Sequence, residues 1–238
     1  SQDATATELT GVLDGALREA LARLGVEVVS SGAGLTARRA FSPRPAGEVL
    51  GVARRGLTVG SGSSVEVVRK GEALVSLGPR GPLLLAADAL EALLDDGNTW
   101  LRDDRREQLA ARLGLERAVE ADLLAGRQAL GAGAPRERAL ALLDLLDRAR
   151  GTGPEARNTL DPIVDGPLSA AFDAEGLRLF PRGHGPLEPA LLGREDAFAA
   201  FEARPSRQPR GQPLEVLAHG VVEARSEAHE VRRQARVV

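Results

Sequence analysis

Apolar residues recur at two different periods in separate stretches of this chain, and that separation constrains the fold most. Between residues 57 and 85 they alternate. Leu57 and Val59 precede Gly60-Ser61-Gly62-Ser63, and Val65, Val67 and Val68 follow it. Ala73, Val75 and Leu77 then alternate with Glu72, Leu74 and Ser76, and Leu83 to Leu85 close the stretch. Turns at 60–63, at Lys70-Gly71 and at Pro79-Arg80-Gly81 make these strands antiparallel, since a parallel crossover needs about a dozen residues. From 86 to 150 the spacing becomes three and four. Leu90, Leu93 and Leu94 mark one helix. Trp100, Leu101, Leu109 and Leu113 mark another, capped by Asn98 or Thr99, and Leu115, Val119, Leu123 and Leu124 continue it. Pro135 opens a helix carrying Leu140, Leu142, Leu143, Leu145 and Leu146. Strand signals return over 166–180, where Leu168, Ala170 and Phe172 precede the Ala174-Glu175-Gly176 turn and Leu177, Leu179 and Phe180 follow it. Residues 188–203 read as one more helix with Phe198 and Phe201 inward, before a Pro-rich linker from Pro205 to Pro213.

Ahead of the strands, residues 4–24 read as an amphipathic helix. Leu9, Leu13, Ala16, Leu17, Ala20 and Leu24 form one stripe, Asp14, Arg18, Glu19 and Arg23 cover the rest, and Gly25 stops it. Val26 to Ser30 is a short strand. Residues 31–56 read as a basic loop, with Arg38, Arg39, Arg44, Arg54 and Arg55 against Glu48 alone, punctuated by Pro43 and Pro45. The expectation is an α+β fold in which the N-terminal amphipathic helix packs on an antiparallel sheet. Residues 1–85 and 166–238 together make one discontinuous domain, and 86–165 is a helical insertion between early and late strands.

Residues 214–238 fit two templates. Leu214, Leu217, Val221, Ala224, Ala228, Val231, Ala235 and Val238 make a heptad stripe. Val216, Ala218, Gly220, Val222 and Ala224 alternate at period two, as Val231, Ala235 and Val237 nearly do, with Arg233 breaking the apolar face. The Val-rich ends and Gly220 favour a terminal β-hairpin.

Composition excludes several chemistries. With no cysteine there is no disulfide, thiolate catalysis or cysteine-built zinc site. An aromatic content of 3% starves the stacking platforms of single-strand binders, and a net charge of -3 gives no global attraction to polyanions. Lys70 is the only lysine among 31 basic residues, so arginine abundance is a coding habit before it is a recognition signal. No segment reaches the about 20 apolar residues of a membrane span.

The candidate chemical groups read as structural. His184, in Pro181-Arg182-Gly183-His184-Gly185-Pro186, lacks a nucleophile in a G-x-S-x-G context, and an ordinary loop histidine is the better reading. A hydrolase built on His184 with Asp161 or Asp165 ranks third among the functional readings. His219 and His229 face each other across the proposed hairpin at the surface, and two histidines alone make a poor metal site. Gly60-Ser61-Gly62-Ser63 lacks the lysine of a phosphate loop. Asp95-Asp96-Gly97-Asn98 and Asp161 to Gly166 match no calcium-loop spacing and serve helix ends and turns.

Ser1-Gln2-Asp3-Ala4-Thr5-Ala6 leading into Gly15-Ala16-Leu17-Arg18-Glu19-Ala20-Leu21-Ala22-Arg23-Leu24 resembles the stretch just after the membrane segment of pilin-like proteins. The minor pilins and pseudopilins of type IV pili and type II secretion are the nearest such family. The run from Val216 to Val238, with Arg232-Arg233 before Ala235-Arg236-Val237-Val238, is similar to their closing strands. In the large tip pseudopilin a helical insertion interrupts the sheet, the part that 86–165 plays here. Its aspartate-rich motifs are not matched, so calcium is not carried over, and no cofactor is expected.

The resemblance implies a non-enzymatic, envelope-exposed assembly component, periplasmic or extracellular. Residues 4–24 would be the lower half of a longer helix whose upper half lies in a membrane. Its partners would be other pilin-like or assembly proteins, met through Leu9, Leu13, Leu17, Arg38, Arg39, Arg54 and Arg55. The alternative is a cytoplasmic nucleic-acid-binding accessory protein, which would use the basic stretch 38–55 with Arg225, Arg232, Arg233 and Arg236 on phosphates.

Overall fold

The computed structural model describes residues 14–29, 34–60, 64–96, 100–127, 133–181, 201–203, 216–224 and 229–237. The fold is α+β, and it divides into two compact units. One comprises residues 1–79 with 124–126, and the other residues 80–123 with 127–238. The late strands therefore share a unit with the helices, not with the early strands as the expected domain of 1–85 and 166–238 has it. The reason is packing: Leu177, Leu179 and Val221 belong to the same buried cluster as the helical leucines.

The first unit holds helix α1 (Ala16–Arg23) and six strands: β1 (Val26–Val29), β2 (Leu35–Ala40), β3 (Val49–Arg54), β4 (Gly56–Val59), β5 (Glu66–Arg69) and β6 (Gly71–Ser76). They form two three-stranded sheets, ordered β1-β4-β5 and β2-β6-β3. The expected loop over 31–56 is thus largely strand. Its exposed arginines hide the alternation, because both β2 and β3 are outer strands. The antiparallel pairing expected on either side of 60–63 forms, β4 against β5, but the sheets are not wholly antiparallel, since β2 pairs with β6 in parallel, Leu35 opposite Gly71. The three strands between them supply the crossover length. Lys70-Gly71, expected as a hairpin turn, instead carries the chain from one sheet to the other.

Where β4 and β6 approach, only glycine fits. A Cβ on Gly71 would lie 2.5 Å from Gly56 N and 2.9 Å from Arg54 O, backbone atoms with no rotamer to yield. Gly71→Ala is therefore expected to destabilise this unit by about 1–3 kcal/mol. Thermal unfolding followed by far-UV circular dichroism checks it, and an unchanged midpoint would refute the close approach. At the other end of β6, Ser76 is buried because its hydroxyl is satisfied: Oγ donates to Arg44 O at 2.9 Å and accepts from Gly78 N at 2.9 Å.

The second unit is built around helix α4 (Pro135–Arg150), of whose 16 residues eight are buried. Helices α2 (Pro82–Asp95), α3 (Asp103–Ala125, save its last two residues), α5 (Pro154–Ile163) and α6 (Ser169–Ala174) belong to the same unit. Leu90, Leu109, Leu142, Leu143, Leu146, Leu160, Val164, Leu168 and Phe172 are all at most 2% exposed, and each contributes about 1.5–3 kcal/mol of burial. Leu83 to Leu85, expected to be strand, open α2 because Pro82 sits at its first turn. The helix expected to begin near Trp100 begins at Asp103, and its expected caps Asn98 and Thr99 lie outside the described residues.

Leu168 and Phe172, expected in a strand, are one helical turn apart. Val164–Leu168 is a π-helical turn joining α5 to α6. Pro162 and Pro167 remove two backbone donors, so the chain widens rather than stops: Asp161 to Gly166 spans the end of α5, as expected, but continues into a π turn instead of a loop turn.

The strands of this unit are β7 (Leu177–Phe180), β8 (Phe201–Ala203), β9 (Val216–Ala218), β10 (Gly220–Ala224), β11 (His229–Arg233) and β12 (Ala235–Val237), in sheets β11-β10-β7 and β8-β12-β9. The terminal segment is a hairpin, β10 against β11 and β9 against β12. Its arms bend at His219 and Gln234 into both sheets. Phe201, expected on a helix, lies on β8, which pairs with β12 in parallel. His184 and the rest of the expected helix over 188–200 lie outside the described residues.

Candidate functional site

Helix α4 carries three charged residues into the interior. Arg138, Asp147 and Arg150 fall on the leucine face, four residues from Leu142, Leu143 and Leu146. A buried charge costs several kcal/mol unless it is paired. Asp147 is paired completely. Its Oδ1 lies 2.9 Å from His219 Nδ1 and 3.1 Å from Arg150 Nη1. Its Oδ2 accepts the His219 backbone N–H at 3.1 Å and Arg233 Nη1 at 2.7 Å. Arg150 Nη1 also lies 3.2 Å from His219 Nδ1. A guanidinium only donates, so a proton on Nδ1 given to Asp147 leaves Arg150 to the carboxylate. Arg150 Nε donates to Asp161, and Arg233 Nη2 reaches Asp144 at 3.0 Å.

Burial acts to raise the Asp147 pKa. The hydrogen bond from His219 and the charges of His219, Arg233 and Arg150 outweigh it and hold the carboxyl below its ordinary value. His219, expected at the surface, is 3% exposed, and His229 on the other arm is opposite Ala224. Arg233, expected to break an apolar strand face, is drawn inward by Asp147 and Asp144.

Asp147 forms the floor of a cleft of about 330 Å³. Arg102, Arg105, Arg148 and Arg236 line it with Gly151, Thr152 and Leu217. A second buried charge cluster lies elsewhere in the unit. Glu116 of α3 receives Arg138 Nε at 3.2 Å and Arg112 Nη2 at 3.1 Å. A third network ties α2 to α3, with Arg80 on Asp88 at 2.7 Å and Arg117 on Asp88 at 2.8 Å and Glu120 at 2.6 Å.

The residues expected to meet a partner lie in the first unit. Leu9 and Leu13 are outside the described residues. Leu17 is 44% exposed, and α1 buries no residue, so its described part does not pack a leucine stripe into a core. Arg38 and Arg39 are exposed on β2 and Arg54 on β3, outer strands on either side of β6. Arg55 stands apart: its guanidinium is held by Asp14, and its carbonyl accepts Arg69 Nη2 at 3.1 Å.

What the expected set misses is the apolar surface around it. Val49, Val52, Val59, Val65, Val67, Val68 and Leu24 are exposed, Val68 by 61% and Leu24 by 76%. Among the described residues, Ala73 is the only buried apolar side chain of this unit. Valines on both faces of β5 and at the outer strand β3 were the signal, since a one-sided sheet shows them on alternate positions only.

Among the described residues no group of three or more His, Asp and Glu side chains is placed to hold a metal ion, and no helix is long and apolar enough to cross a membrane. Comparison with protein-family models, with curated proteins and with solved structures finds no match.

Proposed function

We propose that this chain is a non-catalytic subunit of a larger protein assembly, and that its first unit is the docking unit. The observation that carries this reading is the imbalance among the described residues of that unit, one buried apolar side chain against eight large exposed ones. A domain of this size ordinarily buries about 60% of its surface in a core of its own. Exposed apolar surface on this scale marks a protein-binding face. The outer strands β3 and β5 add unpaired backbone groups that a partner strand can meet. Basic residues outnumber acidic ones along 14–79, so the fitting partner is apolar at its centre and acidic at its rim. The likeness of the chain ends to minor pilins and pseudopilins supports a cell-envelope filament or secretion apparatus as the assembly.

A photo-crosslinking amino acid placed in the full chain at Val52, Val59 or Val67 tests this in the native host. One discrete adduct from these positions, and none from Arg157 in the second unit, is expected. Val67→Asp should abolish the adduct without shifting the melting temperature. Equal adducts from all positions, or none, would remove the docking reading. An apolar stretch of about 20 residues encoded ahead of Ser1 is expected for the pilin-like form, and a gene without one removes that form alone.

A further inference from the structure

We propose that the arginine-lined cleft of the second unit binds a small diphosphate-class anion. The inference does not depend on the docking role of the first unit. Four arginines from three parts of the chain line one opening. Arg102 and Arg105 come from the start of α3, Arg148 from the end of α4 and Arg236 from β12. The only carboxylate in the lining is Asp147, and its two oxygens are already occupied by His219, Arg150 and Arg233 from the interior side. It therefore cannot neutralise the cleft arginines.

Those arginines are also weakly engaged by others. Arg102 and Arg236 have no side-chain hydrogen bond or ion pair among the described residues. Arg148 uses Nε on Asp144 O at 3.1 Å, which leaves its Nη groups uncommitted. Arg105 meets Asp104 at 3.6 Å and Gln108 at 3.3 Å, both long contacts. The buried cluster fixes the geometry, because Asp147 anchors His219 and Arg233 at one end of the paired strands β9 and β12, which carry Leu217 and Arg236.

A single carboxylate would leave several of these charges unmatched. Two adjacent phosphoryl groups offer the matching charge and the oxygen forks that guanidinium groups bind in pairs. A cleft of about 330 Å³ has room for both.

Trp100, the only tryptophan, packs against the leucine core and lies two residues before Arg102 in the chain, so it serves as the fluorescent probe. Titrating the full chain with inorganic pyrophosphate at constant ionic strength should change its fluorescence saturably, with calorimetry giving the same midpoint. Arg102→Gln and Arg236→Gln are expected to weaken binding about tenfold each, the scale of one lost charged hydrogen-bond pair. Arg236→Lys should recover part of that loss, and Arg54→Gln in the first unit should change nothing. Both cleft positions are exposed, so unchanged thermal unfolding separates lost binding from lost folding. Sulfate binding as tightly as pyrophosphate, a signal that follows ionic strength alone, or binding of a single-stranded oligonucleotide without pyrophosphate binding would each overturn the proposal.

Discussion

Asp147→Ala is expected to remove about 3–5 kcal/mol of stability from the second unit, the cost of stranding buried charges. Four donors lose this acceptor at once: Arg150 Nη1, Arg233 Nη1 and the ring and backbone nitrogens of His219. The Asp147 side chain is 2% exposed, so water does not replace the lost partner. Urea unfolding followed by Trp100 fluorescence measures the change, because Trp100 belongs to this unit.

The loss carries a pH signature. The carboxyl is held below its ordinary value of 3.8 in the folded state, so the folded protein binds fewer protons there than the unfolded chain. Its stabilisation is whole above the unfolded value and fades as the pH falls through the lowered folded one. The gap between the native protein and Asp147→Ala should therefore narrow below about pH 4. Adding Arg233→Leu to Asp147→Ala should recover part of the loss, since one stranded cation is removed. A loss under about 1 kcal/mol at neutral pH would show that the cluster is solvated.

Glu116→Ala should be comparably severe, at about 3–5 kcal/mol. Glu116 is 1% exposed and receives guanidinium groups from both Arg138 and Arg112. Without it, two cations face each other in the interior. Arg112 Nε already lacks a hydrogen-bond partner among the described residues, and its Nη2 would keep only the neutral Arg138 carbonyl at 3.0 Å. Glu116→Gln keeps the acceptor oxygen and loses the charge, so a smaller loss of about 1.5–3 kcal/mol is expected. The same urea titration separates the two variants, and equal losses would show that charge is immaterial at this position.

Both clusters were partly legible. Along α4 the leucines mark the buried face, and Arg138, Asp147 and Arg150 stand on it rather than opposite it. Charges at such positions signal buried partners, but periodicity says nothing of which partners. His219 is 72 residues away in sequence from Asp147, and its neighbours Ala218 and Gly220 read equally as surface strand. The cleft is still less legible, because Arg102, Arg148 and Arg236 look like ordinary solvated arginines in an arginine-rich chain. Only their convergence sets them apart.

The errors over strands have two causes. Arg38, Arg39 and Arg54 obscure β2 and β3 because an outer strand needs no apolar alternation. Leu168 and Phe172 read as strand because Gly166 and two prolines look like turn punctuation, although four-residue spacing to a buried Val164 sets the helix.

What the sequence determined alone is the class of the fold and the place of its main helices. Period is a local property, and the leucine spacing on α2, α3 and α4 buries one stripe whatever those helices pack against. The preference of the last segment for strands was local too, with its β-branched ends and Gly220. Tertiary structure decided which strands pair, which unit the late strands join, and which charges are solvated. Those outcomes depend on contacts between residues far apart in the chain. A carboxylate such as Asp147 is stable in the interior only because β9 and β10 bring His219, and β11 brings Arg233, to within hydrogen-bonding distance of it.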